Sequence, residues 1–173
     1  MTSERSPAQP VGNLTAGDVA SLARMDRMLA SWFGSGLILR HVRGSDAGSG
    51  TVGGLVALVP ALLLARVGWI AQLAAALLVV AVSWWASSRF AEEGDPGWVV
   101  VDEAAGTFIA TIGVSMVPAL IGFAVFRVAD ITKRFPLVRR AEGLPGGLGI
   151  TADDLVAGLW GLAAAWIAQA AIG

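Results

Sequence analysis

Residues 104–126 read AAGTFIATIGVSMVPALIGFAVF, 23 positions without a charge, and the way this stretch divides decides the fold. At about 1.5 Å per residue, one helix of this length would cross the roughly 30 Å hydrocarbon core of a bilayer. Gly113 and Pro118 argue against a single straight rod. They flank Val114, Ser115, Met116 and Val117, and a proline removes a backbone donor and pushes the preceding residue out of the α region. Two half-length helices joined near residues 113–118 fit the same residues equally well.

The rest of the chain supplies the arbiter. Residues 67–88 (VGWIAQLAAALLVVAVSWWASS) are uncharged throughout and form the clearest membrane span, and residues 155–173 (LVAGLWGLAAAWIAQAAIG) form a second, rich in small residues that let helices approach closely. Residues 47–65 are a weaker or broken span, because their apolar centre runs only from Leu55 to Ala65 and contains Pro60. The apolar run from Met28 to Leu39 is too short to cross and fits an interfacial or re-entrant segment. If residues 104–129 form a hairpin, 11 of the 12 basic residues share one side of the membrane: Arg5, Arg24, Arg27, Arg40, Arg43, Arg89, Arg127, Lys133, Arg134, Arg139 and Arg140. Only Arg66 lies opposite. The positive-inside rule makes the shared side cytoplasmic. A straight helix would instead place the five basic residues from Arg127 to Arg140 outside.

Composition agrees with a chain dissolved in lipid. Of 173 residues 55% are hydrophobic and 14% charged, with a mean hydropathy of +0.70, whereas soluble domains carry about 25% charged residues. The expected class is therefore all-α: a polytopic helical membrane protein with short or broken helices and an acidic site on the cytoplasmic face. Residues 1–27 are expected to be a cytoplasmic tail and 28–173 the membrane domain. The first 20 residues lack the apolar core of a signal peptide. A net charge of −1 and the lack of a basic patch with interleaved aromatics point to no nucleic-acid partner. The Gly-rich stretches around 44–54 and 143–149 read as loops.

Candidate chemistry lies in the acids. Nine of the 13 carboxylates fall between residues 92 and 154, at segment ends: Glu92, Glu93, Asp95, Asp102, Glu103, Asp130, Glu142, Asp153 and Asp154. A hairpin brings these ends to one surface, while a straight helix would separate Asp102 from Asp130 by about 42 Å. Singly, each has a plain structural explanation. Asp95 before Pro96 fits a helix cap, and Thr151 with Asp154 fits a capping box. Together they repel unless a cation joins them, and hard oxygen ligands suit magnesium, which can polarise phosphoryl oxygens and activate water. Arg127, Asp130 and Lys133 recur every third residue, as either an ion-pair ladder or a pair of phosphate clamps beside an acid. Gly146, Gly147, Leu148 and Gly149 precede the helix bearing Asp153 and Asp154, as a flexible turn or an anion-binding one. His41 sits in a basic loop as a surface cation, and Trp84, Trp85 and Trp98 fit interfacial anchors.

The lack of cysteine and the single histidine exclude cysteine-nucleophile and two-histidine phosphatase chemistry. A small transporter or channel with acidic cation-binding positions is the non-enzymatic alternative.

Three blocks in order, DPGWVVVDEAAG at 95–106, FRVADITKRFP at 126–136 and GGLGITADDLVAG at 146–158, resemble the phosphatidylglycerophosphatase A family. FGSGL at 33–37 and GTVGGL at 50–55 are similar more loosely. The resemblance implies a Mg2+-dependent phosphatase of the bacterial inner membrane that converts phosphatidylglycerophosphate, presented among membrane lipids, to phosphatidylglycerol and phosphate. It places the acidic positions at Asp95, Asp102, Glu103, Asp130, Asp153 and Asp154, with Arg127 and Lys133 beside them as substrate-binding residues. Asp102, Glu103, Asp130 and Asp154 are the first candidates for catalysis and metal ligation.

Overall fold

The computed structural model describes residues 16–90 and 96–172, and the regular structure of these residues is entirely helical. In chain order the helices are α1 (Ala16–Ala30), a 3₁₀ turn (Ser35–Leu37), α2 (Ile38–Arg43), α3 (Ser49–Ala65), α4 (Trp69–Phe90), α5 (Val101–Ala110), α6 (Met116–Thr132), α7 (Val138–Glu142) and α8 (Gly147–Ile172). Helix α1 runs across the boundary drawn at residue 27.

The 104–126 stretch is divided between α5 and α6. Gly113 takes a left-handed conformation (φ +72°), which costs glycine little. Ser115 is extended, and α6 begins with the Ala119 N–H donating to Ser115 O at 2.9 Å. Pro118 falls in the first turn of α6, where its missing N–H would have had no partner inside the helix. Breaking a helix inside an apolar body frees backbone polar groups that must be satisfied by protein. Gln72, buried in the first turn of α4, does this for the reversal. Its Nε2 donates to Thr111 O at 3.0 Å, and its Oε1 accepts from Gly113 N at 2.9 Å. At the far end of α8, Gln169 Oε1 accepts from Ser115 N at 2.8 Å.

Both arms of the hairpin lie against α8 through glycines. A Cβ on Gly158 would stand 2.8 Å from Gly106 O, and one on Gly161 would stand 2.6 Å from Gly122 O. The backbones meet directly, as small residues allow in lipid-exposed bundles. Helices α4 and α8 are long and apolar enough to cross a membrane, and α3 is a shorter apolar helix. Large apolar side chains such as Leu77, Leu78, Leu63 and Ile167 are exposed on their outer faces, and Trp84 and Trp85 are exposed near the end of α4.

Several sequence expectations are corrected. Helix α3 is continuous despite Pro60. The glycine-rich stretches are only partly loops, because α3 starts at Ser49 and α8 at Gly147, where close packing against Glu103 and Ser88 has no room for larger residues. Thr151 is not a cap. It is buried within α8, 3.1 Å from Ser83 Oγ and 3.3 Å from Ser87 Oγ. Residue 96 does not open a helix: Pro96 O accepts from Val99 N–H in a turn, the Val100 N–H reaches Ala30 O at 2.9 Å, and α5 begins only at Val101. Trp98 is buried edge-on against Phe90 instead of sitting at an interface. His41 is exposed as expected, but on helix α2 instead of in a loop.

Replacing Gln72 by leucine keeps the bulk but orphans the Thr111 carbonyl and the Gly113 amide. Each buried unsatisfied group costs about 1–3 kcal/mol, so thermal unfolding of Gln72→Leu in detergent should show a clear loss of stability. An unchanged midpoint would mean that the reversal does not depend on this side chain.

Candidate active site

The hairpin returns the chain so that the start of α5 faces the end of α6, and α8 contributes its second turn to the same place. Asp102 and Glu103 occupy the first turn of α5, where the helix dipole favours negative charge. Asp153 and Asp154 lie in α8, and Arg127 and Asp130 in the last two turns of α6. All six are buried or largely so.

One oxygen each from Asp102, Glu103 and Asp154 lie within 4.8 Å of one another. Glu103 Oε2 and Asp154 Oδ1 are buried without a hydrogen-bond partner. The backbone orients the group from within: Asp102 Oδ1 accepts from the Glu103 N–H at 3.1 Å, and Asp153 Oδ1 accepts from the Asp154 N–H at 3.0 Å. Burial, reinforced by the charges of Asp154 and Asp130 and only partly offset by Asp102 and Arg127, pushes the Glu103 carboxyl up to about 8. Three crowded acids, two of them with a buried oxygen lacking a partner, form a donor set that could hold a metal ion.

Asp130 and Asp153 stand in a different relation to the charges. Arg127 Nη1 lies 2.8 Å from Asp130 Oδ2 and 4.0 Å from Glu103 Oε1. Lys133 Nζ lies 3.5 Å from Asp130 Oδ1, 3.8 Å from Glu142 Oε1, and donates to Asp153 Oδ2. Burial opposes the Lys133 charge, but the hydrogen bond to Asp153 and the charges of Asp153 and Asp130 outweigh it and hold the ammonium above its ordinary range. The stripe of Arg127, Asp130 and Lys133 is thus both an ion-pair ladder and one wall of the acidic site. Lys133 ends α6 in a left-handed conformation (φ +52°) that turns the chain toward α7. Next to it a cavity of about 580 Å³ is lined by Thr132, Lys133, Arg134, Arg139 and Glu142.

Of the sequence-predicted site residues, Asp102, Glu103, Asp130, Asp153, Asp154, Arg127 and Lys133 converge. Asp95 lies outside the described residues. The first turn of α3 also belongs to the site. Thr51 Oγ1 stands 3.5 Å from Arg127 Nη2, and a Cβ on Gly50 would fall 1.9 Å from Glu103 Oε1. A glycine and a threonine far from the acids carry no spacing signal. Their one trace in the sequence is the GTVGGL block.

Comparison with known proteins gives this site a lineage. A Bacteroides thetaiotaomicron protein, whose assignment as a phosphatidylinositol-3-phosphatase is provisional, is 38% identical over 85 residues, covering 46% of this chain and 52% of that protein. The chain therefore spans about half the length of that relative. Phosphatidylglycerophosphatase A of Haemophilus influenzae is 32% identical over 145 residues, covering 81% of this chain and 86% of the relative. The Escherichia coli protein of the same name is 29% identical over 140 residues, covering 76% of each chain. No solved structure matches the chain. The family model of phosphatidylglycerophosphatase A matches residues 28–169, a stretch that includes every described residue of the acidic site, and the chain belongs to that family.

Proposed function

We propose that the chain removes the terminal phosphate of phosphatidylglycerophosphate with a magnesium ion held by Asp102, Glu103 and Asp154, at the cytoplasmic face of the bacterial inner membrane. Membership of the family makes the chain a phosphoric monoester hydrolase of phospholipid metabolism. The observation that carries the metal reading is the meeting of three carboxylates from two helices within 4.8 Å, beside a buried arginine. The cytoplasmic orientation rests on the distribution of basic residues.

Bound magnesium supplies charge neutralisation on the phosphoryl oxygens and a lowered pKa for coordinated water. The chain's own groups do the remaining work. Arg127 offers a planar fork to two phosphate oxygens, and Asp130, 2.8 Å away, keeps that fork in place. Lys133, tied between Asp130 and Asp153, adds a fixed positive charge on the same wall. Five acids face two cations here, so a divalent ion offsets excess negative charge, and a dianionic substrate is repelled unless that ion is bound first. Arg134 and Arg139, on the adjoining cavity, stand where a lipid's second anionic group can be received. The Bacteroides relative's name raises a second substrate, an inositol lipid carrying a phosphomonoester. The transporter alternative predicts ion flux without phosphate release.

Purified protein should release phosphate from phosphatidylglycerophosphate with Mg2+, lose this activity in chelator and regain it on adding Mg2+. Phosphatidylinositol 3-phosphate assayed in parallel decides between the two lipids. Asp102→Asn, Glu103→Gln and Asp154→Asn should each lower turnover by about 10²–10³, the scale for removing one group that stabilises transition-state charge. Near-native turnover in well-folded forms of two of the three would overturn the metal assignment.

Arg127→Ala should lose roughly 2–4 kcal/mol of transition-state stabilisation, and Arg127→Lys less, since charge remains but the fork does not. A purely structural ion pair with Asp130, buried as this one is, would cost about 3–5 kcal/mol of stability when the arginine is removed and leave turnover per folded molecule intact.

Sidedness is tested in the cysteine-free chain. A cysteine at Arg139 should react with an impermeant reagent from the cytoplasmic side only, and one at Arg66 from the opposite side. Labelling of both from one side would refute the topology.

A further inference from the structure

We infer that the first turn of α3, residues Ser49, Gly50 and Thr51, forms with Arg127 a cradle for the phosphoryl group beside Glu103. The inference rests on the phosphatase reading and adds residues to it. Helix α3 has 17 residues and begins after Gly48, and no side chain caps it. Ser49 N–H bonds Asp46 O and Val52 N–H bonds Gly48 O, but the N–H groups of Gly50 and Thr51 have no backbone acceptor among the described residues. Such a terminus favours an anion through its free donors and its dipole.

Independent observations point to a ligand there. Ser49 is fully buried, yet its Oγ has no partner. Arg127 is 9% exposed, its Nε has no acceptor, and its Nη2 reaches Thr51 Oγ1 at 3.5 Å. Buried donors without acceptors are costly, and both residues adjoin this turn: Ser49 precedes Gly50 in the chain, and Arg127 reaches Thr51. The position a Gly50 Cβ would take lies 1.9 Å from Glu103 Oε1 and 3.0 Å from Arg127 Nη2, so turn, carboxylate and guanidinium converge on one point that admits no side chain. The turn does not serve only to hold Glu103, because no hydrogen bond joins them among the described residues. The chemical class that fits is a tetrahedral oxyanion. Its oxygens accept from the Gly50 and Thr51 amides, the Ser49 and Thr51 hydroxyls and the Arg127 fork, while its remaining face stays open to the acids. A phosphomonoester and inorganic phosphate share this chemistry.

The test uses the full chain in detergent with Mg2+, and reads calorimetric binding of inorganic phosphate, thermal stability and Mn2+ affinity in Ser49→Ala and Thr51→Val. A hydroxyl with only a packing role can be removed at Ser49 with neutral or improved stability. The cradle predicts unchanged or better stability in Ser49→Ala, and unchanged Mn2+ affinity in both variants. It also predicts phosphate binding weaker by about tenfold in each variant, the equivalent of roughly 1.4 kcal/mol. Phosphate affinity equal to wild type in both folded variants would overturn it, as would a parallel loss of Mn2+ affinity, which would assign the turn to the acidic cluster. A chain that binds phosphate in this way but hydrolyses neither lipid would retain the cradle and refute the proposed function.

Discussion

The architecture depends on a reversal of the backbone inside an apolar body. Where α5 gives way to α6 the chain abandons helical hydrogen bonds, and lipid would offer no replacement. Gln72 supplies both a donor and an acceptor to the break, and Gln169 supplies a further acceptor. With the reversal satisfied, Asp102 and Glu103 on one arm return to the level of Arg127 and Asp130 on the other. Without it, the same residues would sit at opposite ends of a rod about 42 Å long.

Glycine contacts turn this hairpin into a site. Gly106 meets α8 at Gly158 and Gly122 meets it at Gly161, and the close approach sets Asp154 one turn from the first of these contacts. Gly50 does the same for α3 against Glu103. The acids are thereby held closer than their mutual repulsion would permit, with two oxygens buried and unpartnered. The folding energy of the glycine-lined bundle offsets the cost of this crowding, which a proton or a bound cation would lower. Arg127 and Lys133 do part of this work, and each is bound to the acids that position it.

Much of this was legible in the sequence. Gly113 and Pro118 marked the break, and the arginines chose the hairpin, because a charge excess on one side is a property of loops that survives ignorance of the packing. The acidic positions were visible because carboxylates are rare in so apolar a chain. Other features were hidden because their roles arise only in three dimensions. Gln72 lies in an uncharged run that reads as an ordinary span, and its partners are 39 and 41 residues away. Ser49–Gly50 and Gly147–Gly149 read as loops because glycine disfavours helix in isolation, whereas tight packing makes glycine the residue that permits the helix there. Thr151 carried the signature of a cap, but lies inside a helix that begins four residues earlier. Trp98 looked like an interfacial anchor by composition alone.

The central claim is that carboxylates on α5 and α8, brought together by the reversal, form a single cation site. Electron paramagnetic resonance of Mn2+ titrated into purified protein tests it most directly. One class of Mn2+ site, displaced by Mg2+ and lost equally in Glu103→Gln and Asp154→Asn, is the predicted result. Undiminished Mn2+ binding in the folded double variant would contradict it.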